Sequence, residues 1–220
     1  MPYRLETGLW LATTPAGAYR ALSQQQPDMA TKFLRAILRQ SITPQLNEQT
    51  LTSLSGLPLA DALALLEHVQ QAGWVEGFPE PRREPQDTFY SLLPQALSEL
   101  SSLRRALLAD PQGFYVATAG FPHETAEELA ALSAAVGILH ERNVGLLQGN
   151  LRLGTSAWAV VDAAGNSRIG FWPLYVDTHR FVLILSGMPI LNHPCMVKLA
   201  WTLFRHYGAN ALNEKGADKP

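Results

Sequence analysis

Two polar turn sequences in the second half of the chain constrain its fold more than any other feature. Asp110-Pro-Gln-Gly113 separates the segments 103–109 and 114–121, which are mostly apolar, and a second turn at 162–166 separates 158–161 from 168–176. Asp at the first position of the first turn, Pro at the second and Gly at the fourth favour a type I turn. Because short polar turns between apolar segments are typical of hairpins, both pairs are predicted to be antiparallel strands.

The elements around these hairpins follow a regular order. Helical spacing predicts a helix at about 91–100, a long helix at 123–143 and a last helix at about 194–206, and the apolar run 181–185 is typical of a central strand. The order is helix, two strands, helix, three strands, helix. It predicts an α+β fold with a five-stranded antiparallel sheet flanked by helices.

The first half has a different pattern. Residues 29–90 contain three helical segments, the third at about 59–72, followed by strand-like sequences at 74–78 and 88–90 around a polar, Pro-rich tip. Three helices and a hairpin are the winged-helix pattern. The sequence 54–75, with its turn, its Leu-rich helix and its closing Gly-aromatic-Val, resembles the recognition-helix region of winged-helix proteins.

The second half resembles another family. The sequence from Ala106 to Phe121 looks like the opening hairpin of the Roadblock/dynein-light-chain fold, and the Glu-, Ala- and Leu-rich helix from Glu124 looks like its second helix. The resemblance implies a Roadblock/profilin-like fold and a non-catalytic module. Roadblock proteins dimerise, often with their sheets continuing across the dimer, and they act as platforms or regulators for small GTPases and motors.

The resemblances divide the chain into four parts. We expect an N-terminal extension at 1–28, a winged-helix-like domain at 29–90, a Roadblock-like domain at 91–208 and a flexible tail at 209–220. Charge does not separate the two domains, because residues 1–90 hold 7 Lys and Arg against 9 Asp and Glu, and the remainder holds 10 of each.

The long helix carries two groups of side chains on a helical wheel. One arc of about 80° is expected to face the sheet; it holds Leu129, Leu132, Val136 and Leu139. A second arc holds small residues, which would let a partner helix approach closely. With two aromatic residues on the predicted strands, these form the expected dimer or partner interface: Ala130, Ala134, Gly137, Trp158 and Trp172.

DNA binding is the alternative that the winged-helix pattern raises. The third helix contains no Lys or Arg, although Gln70 and Gln71 near its end are residue types that read adenine. Phosphate contacts need cations, and the tip contributes only Arg82 and Arg83. The sequence therefore favours a winged helix used for protein contacts, with a transcriptional regulator dimerised by the Roadblock-like domain as the alternative.

Composition points away from several other classes. The formal charge of -2 gives no generally basic surface, and the single cysteine, Cys195, precludes an internal disulfide and a Cys-based zinc finger. No metal-ligand spacing, nucleotide-binding loop or nucleophile motif occurs. We therefore expect a soluble, cytoplasmic protein of bacterial type that is not an enzyme, holds no cofactor or metal, and does not span a membrane.

The expected function is that of a dimeric scaffold or regulator acting through protein contacts, with itself and with a small GTPase or a component of a signalling or motility complex. A third reading is an effector-binding sensor, which would require a small-molecule pocket lined by Trp158 or Trp172.

Overall fold

The computed structural model describes residues 5–6, 8–86 and 88–208. It divides into two compact units, Met1–Asp87 with Leu191–Pro220 and Thr88–Ile190. The first boundary lies close to the one expected near residue 90. The expected tail at 209–220 lies outside the described residues.

The first unit consists mainly of helices whose starts are marked by capping side chains. Thr14, Asp28 and Asn47 each accept a hydrogen bond from the backbone N–H three residues later. These bonds satisfy donors that the first turn of a helix leaves unpaired. The elements of this unit are β1 (Trp10–Thr13), α1 (Pro15–Ser23), α2 (Met29–Leu38), α3 (Glu48–Ser55), α4 (Leu59–Gln71), β2 (Val75–Phe78) and α7 (Cys195–Tyr207).

The strand pairing in the first unit differs from the expected hairpin. β2 pairs antiparallel with β1, and the chain beyond β2 pairs elsewhere: the Thr43 N–H donates to the Arg82 carbonyl at 2.9 Å. The segment 88–90, expected to be the return strand, instead begins a helix. The physical reason is local, because the Thr88 side chain accepts a hydrogen bond from the Ser91 N–H and caps that helix.

The last helix also differs from expectation. The sequence assigns it to the second domain, but α7 packs on α1 and α2 in the first unit. The Trp201 indole N–H donates to the Gln40 carbonyl at 2.7 Å, and Arg205 Nε lies 2.6 Å from Glu84 Oε2. An amphipathic pattern shows which side of a helix is buried and leaves open which element covers it, so the sequence did not reveal this neighbour.

The second unit has the predicted element order up to its last strand, with one short addition and without the final helix. Its sheet is antiparallel throughout, in the strand order β4-β3-β7-β6-β5, which confirms the mixed fold class with a five-stranded antiparallel sheet. The elements are α5 (Phe89–Glu99), β3 (Ala106–Ala109), β4 (Tyr115–Ala119), α6 (His123–Arg142), a π-helical segment (Gly145–Asn150), β5 (Trp158–Val161), β6 (Ser167–Val176) and β7 (His179–Ser186).

Both predicted turns close hairpins through an aspartate. Asp110 accepts hydrogen bonds from the N–H groups of Gln112 and Phe114, and Gly113 adopts φ 90°, a conformation that favours glycine. At the second turn, backbone donation from Asn166 is the main reason that the pKa of Asp162 lies below its ordinary value. Local side-chain chemistry therefore fixes the two hairpins.

The core of the second unit lies on both faces of the sheet. On one face, α6 covers Leu107, Phe171, Val182 and Ile184. On the other face, α5 packs on β3 and β4. The residues 171, 173 and 174 of β6 are buried and include side chains of both faces, so neither face of this strand is bare to water.

Candidate interaction surface

Helix α6 lies on the sheet with its small residues. Ala126, Ala130, Ser133 and Gly137 are its buried residues, and the Ser133 hydroxyl is satisfied by donating to the Ala130 carbonyl at 2.7 Å. The expectation that the leucine arc faces the sheet is wrong except for Leu129, which lies at the margin of the arc and packs in part against the core under α6. Small side chains face the sheet because they allow the helix backbone to lie close to it.

Each small residue that the sequence assigned to a partner has a neighbour in its own chain. Ala130 is fully buried in the core under α6. A Cβ atom built on Gly113, in the β3–β4 turn, would lie 3.5 Å from the Ala134 Cβ, and one built on Gly137 would lie 2.5 Å from Arg180 Nη2. The close approach that these residues permit is therefore used within the second unit.

The leucine arc, in contrast, contains side chains that are exposed to water. The arc consists of Leu129, Leu132, Val136 and Leu139 and is called the α6 stripe below. Leu132 and Leu139 are each 48% exposed, and the other two are partly exposed. Leu129 packs in part against the core under α6, so the exposed apolar surface is formed mainly by Leu132 and Leu139, at helical spacing on a helix that is already packed on a sheet.

The sheet edge beside this helix is also apolar. β5 pairs with β6 alone among the described strands, so one side of it has no strand neighbour. Its residues include Val160 and Val161, both more than half exposed, and no charged side chain. The connection from α6 to β5 adds further exposed apolar residues: Val144, Leu146, Leu151 and Leu153.

Trp158 connects this edge to α6. The indole Nε1–H donates to His140 Nδ1 at 3.1 Å, and the two rings are nearly perpendicular. Trp172 lies apart from it, on the other face of the sheet, where its ring covers Gly170 of the same strand. Of the five residues assigned to an interface, Trp158 alone borders the exposed surface described here.

A second polar group at the start of α6 was not found by sequence reasoning. The Tyr115 hydroxyl lies 2.8 Å from His123 Nδ1, and His123 Nε2 lies 3.4 Å from Glu127 Oε1. The i, i+4 spacing of His123 and Glu127 on the helix indicates in the sequence that these two side chains can meet. Tyr115 lies on β4, and no local spacing connects it to this pair. The side chains of His123 and Glu127 are both about two-thirds exposed, so this polar group is solvated.

The residues of the DNA-binding alternative are exposed, but another arginine of the first unit is used inside the unit. Gln70 and Gln71 lie exposed at the end of α4, and the Arg82 guanidinium lies over the Phe78 ring at 3.4 Å. Arg35 of α2 is buried and donates to the carbonyls of residues 21 and 24. Arg83 is exposed beside the chain at residue 42.

Other ligand sites receive little support. In the part of the chain that the structure describes, no three His, Cys, Asp or Glu side chains lie together where they would hold a metal ion. A narrow cleft in the first unit is lined by residues that include Thr13, Ile37 and Trp201. Neither Trp158 nor Trp172, which the sensor hypothesis requires, lines it. Cys195 is half-buried at the start of α7.

Comparison of the chain with protein-family models, with curated proteins and with solved structures finds no match in any of the three. Among the described helices, none combines the length and the apolar character that crossing a bilayer needs.

Proposed function

We propose that this protein is a non-enzymatic scaffold or regulator that works as a dimer, and that the second unit joins a second copy through the α6 stripe and the edge of β5. The observation that carries the proposal is the exposed stripe, with two leucines 48% exposed on a helix whose other side is fully used by the sheet. Apolar surface of this kind gains free energy when it is removed from water.

The spacing of the stripe favours a second copy as the occupant. Leu129 and Leu139 lie at equal distances on either side of residue 134, and so do Leu132 and Val136. When two such helices pack antiparallel through their stripes, about a twofold axis level with residue 134 along the helix, each apolar side chain meets an apolar side chain of the other copy. A symmetric interface requires this kind of self-complementarity.

The strand edge supports the same arrangement. Natural proteins usually protect an edge strand with charges or proline, and β5, with the sequence Trp-Ala-Val-Val, has neither. Antiparallel pairing of β5 with its counterpart would continue the sheet across the twofold axis. The two α6 helices would then lie on the same face of the extended sheet with their stripes side by side.

The resemblance to Roadblock proteins supplies the proposed role. The order of elements from α5 to β7 and the strand order of the sheet support that resemblance. The packing of α7 in the first unit departs from a self-contained second domain. On this analogy, the partner class is a small GTPase or a component of a signalling or motility complex, and fold analogy alone supports it.

The first unit is proposed to contact protein. Its three-helix segment supports a winged-helix-like reading, but α4 has no Lys or Arg. Arg35 is buried in the unit, so the cations that would position a phosphate backbone are few. The alternative of a transcriptional regulator would be favoured by tight, strongly salt-dependent binding to DNA fragments.

Analytical ultracentrifugation tests the proposed dimer. We expect the wild-type chain to sediment as a dimer at tens of micromolar, and the double variant Leu132→Glu/Leu139→Glu to raise the dissociation constant by more than about a hundredfold, since each leucine loses roughly 1.5–3 kcal/mol of burial. The matched control is Ile138→Glu, on the same helix and 52% exposed but off the stripe, which should leave the dissociation constant unchanged.

Two results would contradict the proposal. One is a wild-type chain that stays monomeric at these concentrations. The other is an equal loss of association in the control variant, which would show that any charge on this helix acts in the same way. Circular dichroism of all three chains should show the same helical content, because the substituted side chains point away from the sheet.

A further inference from the structure

The hydrogen bond between Trp158 and His140 joins the two parts of the proposed interface. Trp158 is the first residue of β5, and His140 lies in the last turn of α6, one residue beyond the stripe. The Nε1–Nδ1 distance is 3.1 Å, and both side chains are partly buried. The bond therefore links the edge strand to the helix that carries the stripe.

The chemistry of the pair fixes the protonation state of the histidine. An indole N–H can only donate, so Nδ1 of His140 must accept and cannot itself carry a proton. The bond consequently requires the neutral ring with its proton on Nε2. When the ring gains a second proton, both nitrogens become donors, and the indole N–H faces another N–H.

The titratable groups around this contact come from the strands under α6 and from α6 itself, where Glu141 and Arg142 follow His140. β5 and β3 carry no titratable side chain. On the face of the sheet under α6, β7 contributes Arg180, which lies against Gly137. The Arg180 Nη1 atom is 3.6 Å from Glu141 Oε1. β6 contributes Tyr175, which is paired with Arg180 across the two strands. β4 contributes Tyr115, which is paired with His123 at the other end of the helix. Protonation of His140 would therefore place a positive charge between Gly137 and Glu141, the two residues of α6 that lie against Arg180.

We propose that His140 makes the association of this protein pH-sensitive: the neutral imidazole fixes Trp158 and the β5 edge for pairing with a second copy, and protonation releases them. The inference rests on the proposed dimer. Association is therefore expected to be strong where the ring of His140 is neutral and to weaken as the pH is lowered and the ring gains its second proton.

The test follows two readouts on the full chain between pH 8 and 5.5. The first is the indole N–H signal of Trp158 in ¹⁵N NMR spectra, assigned with Trp158→Phe. The second is the dimer dissociation constant from ultracentrifugation. In the wild type we expect the indole signal to move to the position of a water-exposed indole at low pH and the dissociation constant to rise by about tenfold, the effect of losing one hydrogen bond.

The decisive variant is His140→Gln, because a glutamine side chain offers an oxygen acceptor and does not titrate in this range. We expect its indole signal and its dissociation constant to change little with pH. The matched control is His123→Gln, which removes the other histidine of the same helix and should keep the full pH response of the wild type.

The outcomes separate this inference from the dimer on which it rests. A dimer whose pH response is the same in the wild type and in His140→Gln overturns the role of His140 and leaves the dimer in place. An indole signal that does not respond to pH in the wild type has the same meaning. A wild-type chain that is monomeric at every pH overturns the proposed function, and with it the regulation proposed here.

Discussion

The two sides of helix α6 differ in residue size and in exposure. The side on the sheet is made of Ala126, Ala130, Ser133 and Gly137, all buried, whereas the α6 stripe is made of larger apolar residues that remain in part exposed to water. A helix that used its leucines for the sheet would lie further from it. The small residues bring the backbone close to a sheet whose own side chains fill the space.

This comparison changes how small residues in a helix are interpreted. Alanine and glycine on one side are often taken to indicate a partner helix, since they permit close approach. In this unit the close neighbours are a turn glycine and an arginine of the same chain. The larger side chains, which a wheel would place in the core, are left for a neighbour outside the chain.

The largest expected effect comes from enlarging a residue on the sheet side. Ala130→Leu inserts three carbon atoms into a fully buried position, and overpacking of this kind typically costs 1–3 kcal/mol. We expect the free energy of unfolding, measured with urea, to fall by about 3 kcal/mol, because the rigid sheet gives little room. The matched substitution is Ala135→Leu on the exposed side of the same helix.

Ala135→Leu should change the free energy of unfolding by less than about 0.5 kcal/mol, as is usual for surface positions. If both substitutions are tolerated equally, the distinction between the two sides of α6 is lost. If Ala135→Leu is the more damaging of the two, the helix is turned about its axis relative to the structure described here.

The local features of this fold could be predicted from the sequence, and their neighbours could not. The hairpin turns at Asp110 and Asp162 and the helix start at Asn47 depend on side chains that bond to the backbone within four residues. Such signals are contained in short stretches of sequence. For this reason the order of elements and the five-stranded antiparallel sheet were within reach.

Such local signals do not show which element covers an apolar face of a helix. The wheel grouped the four residues of the α6 stripe correctly but assigned them to the sheet, because periodicity shows which side chains share a face and not what covers it. The same limit applies to α7. The Trp158–His140 bond joins residues 18 positions apart on a strand and a helix, and no local pattern indicates it.

A smaller effect is expected at the strand edge that continues the stripe. Val160→Lys places a charge on β5 where two copies would pair, and we expect the dimer dissociation constant to rise by about tenfold, because edge lysines block strand pairing. The control is Phe114→Lys in the β3–β4 hairpin, at a position that is 70% exposed. Sedimentation that is equally weakened in both variants would argue that the effect is one of net charge and not of the β5 edge.

The smallest effect tests the sheet side of α6 at Gly137. Replacing a helical glycine by alanine normally stabilises a helix by about 1 kcal/mol, but here the new methyl group must displace the Arg180 guanidinium, which lies 2.5 Å from the ideal Cβ position. We expect Gly137→Ala to leave the free energy of unfolding nearly unchanged in the wild type and to raise it by about 1 kcal/mol in an Arg180→Ala background. Urea unfolding of the four chains of this cycle gives the coupling directly. Equal effects of Gly137→Ala in the two backgrounds would mean that the glycine is not kept small by Arg180, and a partner helix would again have to be considered for this side.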